Sequence, residues 1–372
     1  MTQIETEPEA APVSSPVTSN GVAPRRVVSI PPSQRQLPGK LGRRSLLLQV
    51  VSLGFWPFLE QLLNFMVQFV DTVLAGHMDP HAVAATDAMA IAAYLQWGMA
   101  IMLVSVGVGA AAIIGRAIGG SHRRVANGAL GQAVNLAVVI GVVVGGAMFI
   151  AAPYLSHLMG TRGLSLTFST IYLRIVALAT PFSGLLFVGS AALRAAGDTR
   201  TPFIVLLVVN IVNATLSALF VYGPPPWGGC QVEGLALGTL YAWIVGALLI
   251  VVALINSRSG MRLRAIRLRP HWHTTRRIIK VGTPNLIEGM TFWFGNMIVL
   301  GIVGHISQES PGVLAAHLIT IRLEAISFMP GFAMGMAAST LTSQYLGLGD
   351  PDRATRATKL CWLVSATVMG LM

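Results

Sequence analysis

From Ser45 onward, long apolar stretches alternate with short polar breaks, and the chain reads as a succession of membrane-spanning helices. The pattern predicts helices over 46–75, 84–115, 126–152, 166–193, 202–222, 234–256, 279–304 and 312–346. Two stretches, 125–161 and 201–232, contain no Asp, Glu, Lys or Arg. About 20 apolar residues suffice to cross a bilayer as a helix, and a helix satisfies its own backbone groups inside lipid. The alternating ten-residue segments of a membrane β-barrel do not occur. Residues 1–45 differ: they are rich in Pro, Ser, Thr and Val, and they carry acids early (Glu5, Glu7, Glu9) and bases late. With no helical period they are expected to form a disordered tail, and no cleavable signal pattern is present.

Composition narrows the class. Hydrophobic residues make up 54% of the 372 and charged residues only 10%, where a soluble domain carries about 25% charged. A soluble enzyme and an intrinsically disordered chain are both excluded. Cys230 and Cys361 offer no paired spacing, so neither a disulfide framework nor a zinc site is indicated.

The net charge of +11 would suggest nucleic acid in a soluble protein, but its placement says otherwise. Six of the 25 bases lie in the tail; Arg116, Arg123 and Arg124 follow the second helix, and Arg194 and Arg200 the fourth. Eight, from Arg258 to Lys280, follow the sixth, and Arg353, Arg356 and Lys359 follow the eighth. The breaks at 77–82, 223–231 and 305–311 hold none. This alternation obeys the positive-inside rule and predicts a multi-pass plasma-membrane protein with a cytoplasmic N-terminus and no nucleic-acid partner.

The chain also repeats itself. Glu60, Gly76, His77, Gly107, Gly119 and Ala126 recur 228 residues later as Glu288, Gly304, His305, Gly335, Gly347 and Ala354. Six helices separate the copies, so both share one orientation, as expected for halves related by an axis along the membrane normal. Four segments follow: tail 1–45, a six-helix lobe over 46–257, a basic cytoplasmic linker over 258–278, and a partial second lobe over 279–372. Two full copies would extend to about residue 502, so the sequence reads as ending inside its ninth helix. The apolar run 360–372 is about 20 Å of helix, short of the ~30 Å hydrocarbon core.

No HExxH, GxSxG or Walker A string occurs, so no enzyme activity and no cofactor is expected. The pairs Gly141/Gly145 and Gly331/Gly335 read as close helix packing. Charges at membrane depth stand out because they are costly there: Glu60, Asp71, Arg174, Glu288, Arg322 and Glu324, with the polar Gln68 beside them. Glu60 and Asp71 lie eleven residues apart, three helical turns, and so share a face. Glu60 and Arg174 are candidates for a structural ion pair. Asp87 is placed near the outer interface, in water. His271 and His273 lack the further ligands a metal site needs.

Several strings then resemble the multidrug and toxic compound extrusion (MATE) family of cation-coupled efflux transporters. These are PFLEQLLNFMVQFVDTVLAG in the first helix, LRAAGDTRTP at 193–202, NIVNATLSALFVYG at 210–223, VEGLALGT at 232–239 and FMPGFAMGMAASTLTSQYLG at 328–347. The resemblance covers residue 46 to the end. It implies an all-α polytopic membrane protein of the MATE fold, twelve helices in two six-helix lobes, here with the first lobe complete and the second partial (eight full helices and part of a ninth). It further implies a monomer, embedded in lipid, that exports amphipathic, usually cationic small molecules in exchange for protons or sodium. Two alternatives are a truncated product that does not transport and a lipid-linked saccharide flippase of the same superfamily. The family's first-lobe cation site maps onto Asp71, Asn213 and Thr239, with Ser217 standing where a second acid is expected. No other metal is implied. With a single carboxylate the proton is favoured over sodium, because hard cations select sites by ligand charge and number.

Overall fold

The computed structural model describes residues 37, 42–78, 80–224, 228–256, 261–263, 268–309 and 313–372. Among these residues the chain forms nine helices: α1 Leu46–Gly76, α2 Ala82–Gly119, α3 Arg123–Leu158, α4 Gly163–Ala195, α5 Arg200–Tyr222, α6 Gln231–Ile255, α7 Trp272–Glu309, α8 Val313–Leu348 and α9 Pro351–Leu371. Of the tail, residues 1–36 and 38–41 lie outside the described residues. Helices α1 to α6 are each long and apolar enough to cross a membrane. Their outward side chains, among them Val139, Val143, Ile150, Leu178 and Leu248, are exposed apolar groups suited to lipid.

Several helices run a few residues past the expected ends, α3 to Leu158 and α7 to Glu309 among them, and two helix starts move further. Helix α9 begins at Pro351 rather than near 360. Asp350 accepts a hydrogen bond from the Arg353 backbone N–H at 3.0 Å, Pro351 opens the helix and Asp352 sits in the first turn. These are strong start signals, and they place Arg353, Arg356 and Lys359 on the helix rather than in a loop. Helix α7 begins at Trp272, inside the segment read as linker, because Thr274 and Thr275 close the first turn onto His271. The described residues in the rest of that linker are strapped to α3. Asn127 accepts from the Arg262 N–H, Asn135 donates to the Leu268 carbonyl, and Gln132 donates to Arg269 O and accepts from His271 N.

Helix α4 is the axle of the first lobe, packed against α2, α3 and α6. The approach is set by small residues, since no apolar attraction between helices operates in lipid. A Cβ at Gly141 would overlap Pro181, and one at Gly145 would overlap the Ala177 carbonyl, so this GxxxG pair is a packing device. The second pair is mixed: Gly331 faces Met369 of α9, while Gly335 faces open space. On α6, Gly234, Gly238, Ala242 and Gly246 recur every four residues. The three glycines lie against Phe220, Ser217 and Val209 of α5.

Helices α7 and α8 meet the first lobe through α2 and α1, and the contacts are reciprocal. A Cβ at Gly119 would meet the Gln344 carbonyl, and one at Gly347 would meet the Arg116 carbonyl. These two contacts exchange under the 228-residue offset. Likewise Gly282 of α7 abuts Ser105 and Val106 of α2, while Gly54 of α1 abuts Met334 of α8. A two-fold axis running between α2 and α8 accounts for both pairs.

Candidate functional site

Asp71 sits in the last turns of α1 and is 8% exposed, the one charged residue in the stretch from Gln61 to Gly76. From Asp71 a series of polar contacts leads through Tyr172 to α2, α6 and α5. Tyr172 of α4 is buried and lies in the electrostatic field of Asp71, with its hydroxyl against the side chains of Gln96 (α2) and Thr239 (α6). Asn213 of α5 donates to Thr239 Oγ1 at 3.1 Å, and Thr239 in turn donates to the Leu235 carbonyl at 3.1 Å. Ser217, one turn beyond Asn213, presses on Gly238 so closely that a Cβ there would overlap its Oγ. That contact brings the α5 and α6 backbones together and sets Thr239 opposite Asn213.

The site is polar, buried and incompletely bonded. Asp71 Oδ1, Gln96 Nε2, Asn213 Oδ1 and Ser217 Oγ all lie buried without a hydrogen-bond partner. Each such atom costs about 1–3 kcal/mol in a low-dielectric interior, so a cluster of them marks a place built for something other than stability. The cluster offers several oxygens and a single carboxylate. Such a set accepts a proton, or holds a small hard cation through one charged and several neutral oxygens. Among the described residues no group of three or more His, Cys, Asp or Glu is arranged to hold a metal.

Sequence reasoning had singled out Asp71, Asn213, Ser217 and Thr239, all of which are buried. It missed Gln96 and Tyr172; the signal available was a lone amide in an apolar helix and a buried phenol that needs a partner. The other charged candidates separate. Glu60 does not pair with Arg174: its Oε2 accepts from Arg194 Nη1 at 2.8 Å. Twenty residues, about 30 Å of helix, divide the two arginines along α4, and Arg174 lies exposed over the Phe149 ring. Glu288 is exposed on α7, about 100° around the helix from the stripe Gly282, Asn285, Gly289 and Trp293 that meets α2. It lines an open groove of about 580 Å³ with Lys280, Thr283, Pro284 and Ile287. Glu324 and Asp87 are also exposed, and the side chains of Gln68 and Arg322 lie outside the described residues.

The family model MatE matches residues 58–219 and 284–372. The chain belongs to the MatE family. The first of these segments runs from α1 through α5 and so contains Asp71, Gln96, Tyr172, Asn213 and Ser217, while Thr239 falls outside it. Among MatE relatives, the chain is 28% identical over 306 residues to a probable multidrug resistance protein NorM of Thermotoga maritima, covering 82% of this chain and 64% of that one. It is 26% identical over 262 residues to an FAD transporter of Shewanella oneidensis, covering 69% and 56%. The chain thus spans less than two thirds of the length of these relatives. The fold is that of solved MatE structures. An outward-facing multidrug resistance MATE transporter superposes with a TM-score of 0.79 at 20% identity, covering 88% of this chain and 71% of that one. A MOP-superfamily transporter from Pyrococcus furiosus superposes with a TM-score of 0.78 at 18% identity. With α1 to α6 each able to span a bilayer, this MatE chain is a multi-pass membrane protein.

Proposed function

We propose that the chain carries the ion-coupling half of a secondary antiporter that exports amphipathic, cationic small molecules in exchange for protons. The observation that carries this reading is the buried, unpaired carboxylate oxygen of Asp71 beside Tyr172 and the polar groups that Tyr172 reaches. An ionised carboxylate with no cation beside it is costly at membrane depth, and a proton removes that cost. Tyr172 lies in the field of Asp71 and meets Gln96 and Thr239, and Thr239 holds Asn213, so one series of polar contacts joins Asp71 to α4, α2, α6 and α5. Loading or emptying Asp71 therefore changes which packing of those helices is favoured, as an exchange mechanism requires. Ser217 contributes a neutral hydroxyl where the family pattern expects a second acid, which favours a proton over sodium as the coupling ion. The base-rich helix ends face the cytoplasm, with the N-terminus on that side. The names of the NorM-type relatives support the multidrug substrate class.

The test is Asp71→Asn in vesicles carrying an imposed proton gradient, with efflux of a fluorescent organic cation as the readout. Efflux should fall to background while expression and elution profile stay normal. Undiminished, gradient-driven efflux in the variant would place the coupling residue elsewhere.

A further inference from the structure

A second polar feature lies at the other end of the bundle, away from Asp71. The ends of α2, α3 and α7 enclose a cavity of about 320 Å³ lined by Ala112, Ile113, Arg116, Ala117, His122, Val125, Arg277 and Val281. Arg116 lies in the last turn of α2, His122 is the N-cap of α3, and Arg277 is in the second turn of α7. All three stand within about 8 Å of their helix ends. No acid lines the cavity, and among the described residues neither arginine pairs with a carboxylate. The first turn of α3 holds no acid, so the positive end of its dipole is left uncompensated.

The internal repeat shows what this space looks like when the protein fills it itself. By the 228-residue offset, Ala117 corresponds to Tyr345, Arg277 to Gln49, Arg116 to Gln344 and Val281 to Leu53. In that second location the Tyr345 hydroxyl donates to Gln49 Oε1 at 2.7 Å, and Leu37, Leu53 and Tyr345 are all buried in one apolar cluster. On the α2–α3–α7 side the tyrosine is an alanine and the glutamine an arginine. His122 and Val125 correspond to Asp350 and Arg353, which pair with each other at 3.3 Å. A packed site whose arginine has its acid has become an open one whose arginines have none among the described residues, with Val125 in its apolar wall.

We propose that this cavity binds the phosphate headgroup of an anionic phospholipid from the cytoplasmic leaflet, with Arg116 and Arg277 on the phosphate and an acyl chain along Val125 and Val281. Basic pockets between membrane helices on the cytoplasmic side suit such headgroups, and the apolar wall selects lipid over a free anion. The lipid bridges α2 and α3 to α7 and so holds this arrangement of the helices. The assignment of this end to the cytoplasm rests on the orientation proposed above, but the test reads lipid binding and is independent of transport.

The experiment is thermal unfolding of the purified chain in detergent with added phosphatidylglycerol, phosphatidylcholine or inorganic phosphate, titrated to give apparent affinities. Phosphatidylglycerol should raise the midpoint and the other two should not. Arg116→Gln with Arg277→Gln should weaken the phosphatidylglycerol effect about thirtyfold, the worth of two surface cations. Ala117→Tyr, which fills the cavity as the repeat does, should weaken it without changing charge. Arg123→Gln with Arg124→Gln removes the same charge outside the cavity and should change the affinity by less than threefold. Equal losses from the two arginine pairs would reduce the effect to bulk electrostatics and overturn the site. Inorganic phosphate matching phosphatidylglycerol would overturn the lipid assignment.

Discussion

Arg194 and Glu60 show how much a single buried contact decides. Their 2.8 Å bond joins the end of α4 to the middle of α1, and Glu60 Oε1 has no other partner. Removing the arginine strands a carboxylate in the interior, so Arg194→Gln should cost about 3 kcal/mol and lower the unfolding midpoint by several degrees. The double variant Glu60→Gln with Arg194→Gln should recover most of that loss in the same melt. The sequence made Glu60 legible as a buried charge, because an acid in an apolar helix declares itself. It left the partner open, because spacing along one helix carries no information about the height at which another helix passes. Asp71, Asn213 and Thr239 were readable for the same reason as Glu60. Tyr172 was hidden, because a tyrosine in a membrane helix looks like an ordinary apolar residue until its hydroxyl is seen against Gln96 and Thr239.

At the level of helices, the contacts are written in glycines whose surroundings differ from one position to the next. Gly145 of α3 lies on the Ala177 carbonyl of α4, whereas its neighbour Gly146 faces open space. Gly145→Leu should therefore destabilise the chain by about 1–3 kcal/mol through overpacking, while Gly146→Leu should be neutral or slightly stabilising in the same assay. Most helix positions followed from hydropathy alone, and the boundaries that moved did so where local chemistry outweighs hydropathy. The start of α9 is polar: Asp350, Pro351 and Asp352 form a capping sequence that a search for apolar runs passes over. The start of α7 is similarly hidden among bases that belong to the linker in composition but to a helix in geometry.

Across the whole molecule, the described residues of the linker between the lobes are held against α3. Asn127, Gln132 and Asn135 on α3 bind it at Arg262, Leu268, Arg269 and His271. Gln132→Ala should leave the Arg269 carbonyl and the His271 N–H without these bonds and speed amide exchange at His271 about tenfold, as measured by hydrogen exchange. The reciprocal contacts between α2 and α8 have a separate consequence. Gly119 touches the carbonyl of 344 while Gly347 touches that of 116, which is the geometry of an isologous dimer interface folded into one polypeptide. In such a seam each half is the template for the other. A side chain gained at one glycine pushes apart the same two backbones that its mate already holds close, so the energies of changes at 119 and 347 are coupled and do not add. The two halves are thereby constrained to diverge elsewhere, and the α2–α3–α7 cavity, packed in one copy and open in the other, is a place where they have done so.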